Sequence, residues 1–276
     1  MNYHRIADYT DAYSNGAHIV GAERWPNAWA KPAADYREVM LAAGRAKLGL
    51  AYGASERNAL DLFLPEGTPR GLVVFIHGGY WKSLDRSYWS HFAQGCVARG
   101  FAVAMPSYDL CPDVRITEIT RQIGAAVTRA AEEVAGPIII TGHSAGGHLS
   151  ARMVSAGTPL ASAVLDRVEI AAPISGLHDL RPLMRSELNE TLHIDEAEAM
   201  AESPALLRPV GHARLCAWVG GAERHEFLRQ NALLANMWTG LGATTACYAE
   251  PNRHHFDVLD GLLDPDHALT RALTDI

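Results

Sequence analysis

The chain has 276 residues, 48% hydrophobic and 20% charged, enough for one large domain or two small ones with a full core. A formal net charge of −7 disfavours nucleic acid or an anionic membrane as partner, and no apolar run approaches the ~18 residues of a membrane span. Cys96, Cys111, Cys216 and Cys247 lie far apart without metal-type spacing, and the N-terminus lacks the basic start and apolar run of a signal peptide, so a reduced, cytoplasmic, soluble protein is expected.

In chain order, residues 1–55 carry Trp25, Trp29, Pro26 and Pro32, with a helix expected over 33–44. Apolar, β-branched runs then predict strands over 59–64, 71–76, 101–106, 137–141, 168–174, 213–219 and 244–250. Helices are expected between several of them, over 86–100, 116–134 and 223–238. In the second, Ile116, Ile119, Ile123, Val127 and Ala131 form one apolar face. Residues 177–210 read as helical and strand-free. That segment or residues 1–55 would form a small cap, or simply peripheral helices. Continuous apolar strands alternating with helices predict an α/β fold: one domain over 1–276, a mostly parallel sheet with helices on both faces. Catalytic groups in such sheets gather at the carboxyl ends of the strands.

The stretch "PIIITGHSAGGH" places Gly-x-Ser-x-Gly, Gly142 to Gly146, between an apolar strand and a helix. A turn that tight excludes side chains two before and two after Ser144, and leaves its hydroxyl exposed as a nucleophile. A serine hydroxyl needs a histidine base oriented by a carboxylate, and in this fold they follow in the order serine, acid, histidine. Among the histidines that follow Ser144, "EPNRHHFD" puts His254 and His255 after the last predicted strand, and spacing does not separate them. For the acid, Glu223 is favoured over Glu226 because it lies nearer the end of its strand; Asp179 is the rival after the strand before.

The run "FIHGGYWK" ends a strand in two glycines and two large aromatics. An oxyanion needs backbone N–H donors, and only glycine lets the backbone approach so closely. Gly78 and Gly79, with the N–H of Ala145, are the expected oxyanion hole, and Tyr80 and Trp81 the expected walls of the substrate pocket. His143 and His148 are five residues apart, a spacing that does not share a helix face, so no metal is expected there.

"HGGYW", "GHSAGGH" and "HHFD" resemble the kynurenine formamidase (arylformamidase) branch of the α/β-hydrolases, kin of the hormone-sensitive-lipase-like esterases. "AYSNGAHI", "SYDLCP", "ISGLHDLRPL", "ESP" and "EFLRQ" extend the resemblance over nearly the whole chain. It implies Ser144 as nucleophile, His255 as base and Glu223 as acid; many relatives carry aspartate at the last position. Lipase-like relatives usually have a third glycine where Tyr80 stands, which tilts the match towards the formamidases. The activity implied is hydrolysis of an aryl formamide such as N-formylkynurenine. A short-chain carboxylesterase is the alternative, and a non-catalytic ligand-binding protein the remote one. The expected partner is a small-molecule substrate, with no cofactor, nucleic acid or membrane; a homodimer stays open.

Overall fold

Strands buried on both faces read as unbroken apolar runs, and three such runs build the centre of this protein. In β3 (Leu72–Ile76), β4 (Ala102–Pro106) and β5 (Ile138–His143) every residue is buried. The structure, a computed structural model, describes residues 5–276. Before β3 come α1 (Tyr9–Tyr13), α2 (Trp25–Ala42), β1 (Ala46–Ala51) and β2 (Ala59–Phe63). After it the chain adds α3 (Gln94–Ala98), α4 (Ile116–Glu133), α5 (Ala145–Arg152), α6 (Ser162–Leu165) and β6 (Val168–Ile174). It continues through α7 (Asn189–Leu192), α8 (Glu196–Ala201), β7 (Arg214–Gly220), α9 (His225–Gly240), β8 (Thr245–Glu250) and α10 (Ala268–Thr274).

The sheet runs β1-β2-β4-β3-β5-β6-β7-β8. β2 is antiparallel to both its neighbours, and every other pairing is parallel. This is the expected α/β fold. One apolar cluster lies under α4, α5 and α9, and includes all five residues of the predicted α4 face. The other lies under α2, α3 and α10 and is rich in aromatics, among them Trp29, Phe75, Trp89 and Phe92.

Three expectations on elements are corrected. β1 was not foreseen: "AKLGLA" has no β-branched residue, is largely exposed, and is bulged at Gly49 (φ 69°), whose N–H donates to Asp61. α2 begins at Trp25 rather than 33, because Pro26 falls in its first turn, where no N–H is needed, and Pro32 is accommodated within it. The helix expected over 86–100 is instead two short 3₁₀ turns and α3, interrupted where Trp89 takes φ −118°, ψ −4°.

Candidate active site

β5 and β3 end side by side, with Ile76 paired to Gly142, so the loops after them meet. Ser144 lies between β5 and α5 at φ 56°, ψ −114°, a sparsely populated conformation for a residue with a side chain. Its N–H is anchored on the Ile174 carbonyl at 2.8 Å. The flanking glycines are sterically required. A Cβ on Gly146 would stand 1.9 Å from the Ile76 carbonyl oxygen, and one on Gly142 would stand 2.5 Å from that of Gly146. The first N–H groups of α5, Ala145 onward, point away from any intrahelical acceptor, as at every helix start.

The loops after β7 and β8 bring Glu223 and His255 together. His255 Nδ1 donates to Glu223 Oε2 at 2.6 Å, and both side chains are almost wholly buried. A carboxylate holding Nδ1–H leaves Nε2 as the free lone pair of a neutral ring. The other Glu223 oxygen accepts from the Gly220 N–H at 2.8 Å and the Ser175 hydroxyl at 2.5 Å. Ser175 follows β6 at φ 53°, which turns its side chain to the carboxylate. The rival residues are engaged elsewhere. Glu226 binds Tyr13, Arg229 and Gln230; Asp179 grips Arg181 with both oxygens; His254 Nδ1 accepts from the N–H groups of Phe256 and Asp257.

His143 adds a link that the sequence reading missed. Its Nε2 meets the His255 carbonyl at 2.7 Å, and since a carbonyl only accepts, Nε2 carries the proton. The residue before Ser144 thus holds the loop that carries His255. Burial, and then the neighbouring His255 ring, keep His143 well below the usual imidazole range.

The loop after β3 leaves the sheet through a run of left-handed residues: Gly79 (φ 111°), Tyr80 (50°), Trp81 (56°) and Leu84 (69°). A Cβ on Gly78 would lie 2.9 Å from the His143 carbonyl oxygen and 3.2 Å from Ser144 Cβ, so this backbone lies against the serine turn. Tyr80 lines the cavity above Ser144, its hydroxyl donating to the Tyr13 carbonyl. Trp81 does not. The left-handed turn drives it down into the core, wholly buried and edge-on to His148 at 5.1 Å. Trp29 and Trp89 take the wall position instead. Trp89 was hidden in a stretch read as regular helix.

The cavity has a volume of about 590 Å³, and Ser144, His255 and Gly79 all line it. Residues 10–29 close one side, and Glu187 to Thr191, from the helical segment before α7 and in it, close another. Lys82, Glu187 and Glu190 are its charged lining residues apart from the histidines, and none makes an ion pair within 4.0 Å among the described residues. Among the described residues no cluster of three or more His, Cys, Asp or Glu is arranged to hold a metal ion, and no helix is long and apolar enough to cross a membrane.

Residues 60–166 match the family model BD-FAE. A kynurenine formamidase of Salmo salar is 29% identical over 241 residues, covering 82% of this chain and 80% of that protein. A crystal structure from Silicibacter sp. TM1040, provisionally described as a thioesterase, is 49% identical and superposes with a TM-score of 0.91 over 98% of this chain and all of its own. The chain belongs to the α/β-hydrolases. Esterase B of Lactobacillus rhamnosis, inhibitor-bound and 17% identical, shares the fold at a TM-score of 0.67, over 93% of this chain and 94% of its own. This α/β-hydrolase is an enzyme, similar over most of its length to kynurenine formamidases and related in fold to esterases.

Proposed function

We propose that this α/β-hydrolase cleaves a small acyl group through an acyl-enzyme on Ser144, and that its preferred substrate is an aryl formamide such as N-formylkynurenine. The observation that carries the reading is the 2.6 Å contact between His255 Nδ1 and the buried Glu223, with His255 and Ser144 lining one cavity. Ser144 Oγ attacks the formyl carbon while His255 Nε2 takes its proton. The oxyanion so formed accepts hydrogen bonds from the backbone of Gly78, Gly79 and Ala145. Collapse expels the aryl amine, which receives the proton from His255. Water then repeats the sequence on the formyl ester, releasing formate and restoring the serine. No cofactor enters any step.

The small acyl group is favoured by the walls, since Tyr80, Trp29 and Trp89 crowd a cavity of modest size. An aromatic leaving group would pack on the same rings, worth about 0.5–1.5 kcal/mol beyond burial. Lys82, Glu187 and Glu190, exposed lining residues without an ion pair among the described residues, suit a leaving group that carries charge of both signs, as an amino acid does. The single sheet supports reading the chain as one domain, and four unpaired cysteines suit a reducing compartment such as the cytoplasm.

Short-chain ester hydrolysis is the second reading, favoured by the 49% identity to a protein provisionally described as a thioesterase. One panel separates them: kcat/KM for N-formylkynurenine against p-nitrophenyl acetate and octanoate. Formamide cleavage with acetate as the better ester is expected. Octanoate equal to or faster than acetate, with no formamide cleavage, would transfer the protein to the esterases.

A further inference from the structure

A second and larger cavity, of about 1020 Å³, adjoins the catalytic one along α2. It is bounded by Val39 and Met40 of α2, by Phe92 and Val97 from the segment of α3, and by Leu263. Its charged residues are largely spoken for: Asp35 is paired with Lys31, Arg45 with Glu66 and Asp260 with Arg253. What remains is a largely apolar channel, open to solvent along α2, without an assigned role.

Trp29 belongs to the lining of both cavities. Its ring packs on three aromatic neighbours, 4.7 Å from Trp89, 5.5 Å from Phe256 and 5.7 Å from Trp25. The residue is only 5% exposed, and its indole N–H has no hydrogen-bond partner among the described residues. Phe256 directly follows His255, so the partition stands one residue from the catalytic base.

We infer that Trp29 is the specificity-determining partition of this enzyme: it closes the catalytic cavity against the apolar channel behind α2 and so sets the upper size of the substrate. The inference rests on the hydrolase reading above. A buried polar anchor would fix a side chain by its hydrogen bond; the indole N–H makes none among the described residues, so the wall is the ring itself and removing the ring removes it. A chain entering the channel would gain from each methylene buried there, about fourfold in kcat/KM per methylene at best.

The test measures kcat/KM for p-nitrophenyl esters from acetate to dodecanoate, and for acetate esters of alcohols from ethyl to dodecyl, on the wild type, Trp29→Ala, Trp29→Leu and Trp29→Phe. In Trp29→Ala and Trp29→Leu the octanoate-to-acetate ratio, or its alcohol counterpart, should rise at least about tenfold and keep rising to the longest chain. The series that responds identifies which half of the substrate lies against Trp29. Trp29→Phe should keep the wild-type ratio. If Trp29→Ala does not fold, Trp29→Leu carries the comparison. An unchanged ratio in both series overturns the inference, as does a gain that stops at butanoate or hexanoate, lengths that fit the space left by one indole. A wild type that cleaves no acetate ester or formamide would instead defeat the hydrolase reading itself.

Discussion

In the proposed mechanism the residues Ser144, His255 and Glu223 act as one unit. His255→Ala should therefore cost nearly as much kcat as Ser144→Ala, whereas His254→Ala should cost little, because His254 is turned to the backbone of Phe256 and Asp257. Ser175→Ala removes one of three hydrogen bonds to the Glu223 carboxylate, one of them from His255. A bond to a charged group is worth about 1.5–3 kcal/mol, so kcat should fall roughly 10- to 100-fold with KM little moved. A Ser175→Ala enzyme with wild-type kcat would mean that Glu223 needs no second support. The tight turn at Ser144 was legible because its glycines and its strand-turn-helix context are local features of sequence. His254 and His255 were not separable by spacing, since adjacent residues in a loop have equal reach. Trp81 was misplaced for a related reason. Two consecutive left-handed residues reverse the direction of a side chain, and nothing in "GGYW" announces them.

At the scale of elements, the turn between β5 and α5 is the tightest joint in the molecule. Gly146→Ala would press a methyl to 1.9 Å from the Ile76 carbonyl oxygen, with β3 unable to retreat from its two parallel neighbours. Loss of soluble, active protein is expected, read by expression and circular dichroism; a folded Gly146→Ala enzyme with full activity would contradict the geometry. Gly44→Ala, where a new Cβ meets nothing within 4 Å, should be far milder, costing only the strain of its left-handed φ of 67°. Central elements were legible because strands buried on both faces are unbroken apolar runs and α4 repeats its apolar face. The periphery was not. β1 is an exposed edge without β-branched residues, and the turns around Trp89 follow the packing of aromatic rings rather than a helical period.

For the molecule as a whole, the buried histidines govern how stability responds to acid. Burial holds His77 at about 4, and His148 and His178 at about 3; no nitrogen of His178 has a hydrogen-bond partner among the described residues. In the unfolded chain each returns to about 6.5. Their folded pKa values lie below the unfolded ones, so the unfolded state binds more protons as pH falls from about 6.5 towards 4. Stability is whole above that window and declines within it, by up to about 2 kcal/mol for each histidine at pH 5. The urea midpoint should drop clearly between pH 7.5 and pH 5; a midpoint constant over that range would contradict these burials. The central claim, a nucleophilic Ser144 driven by His255 and Glu223, is tested most directly by reaction with an aryl organophosphate followed by peptide mapping. A single label on Ser144 is expected, with its rate of formation collapsing in His255→Ala. Label on another residue, or a Ser144→Ala enzyme that keeps more than about a hundredth of wild-type turnover, would contradict it.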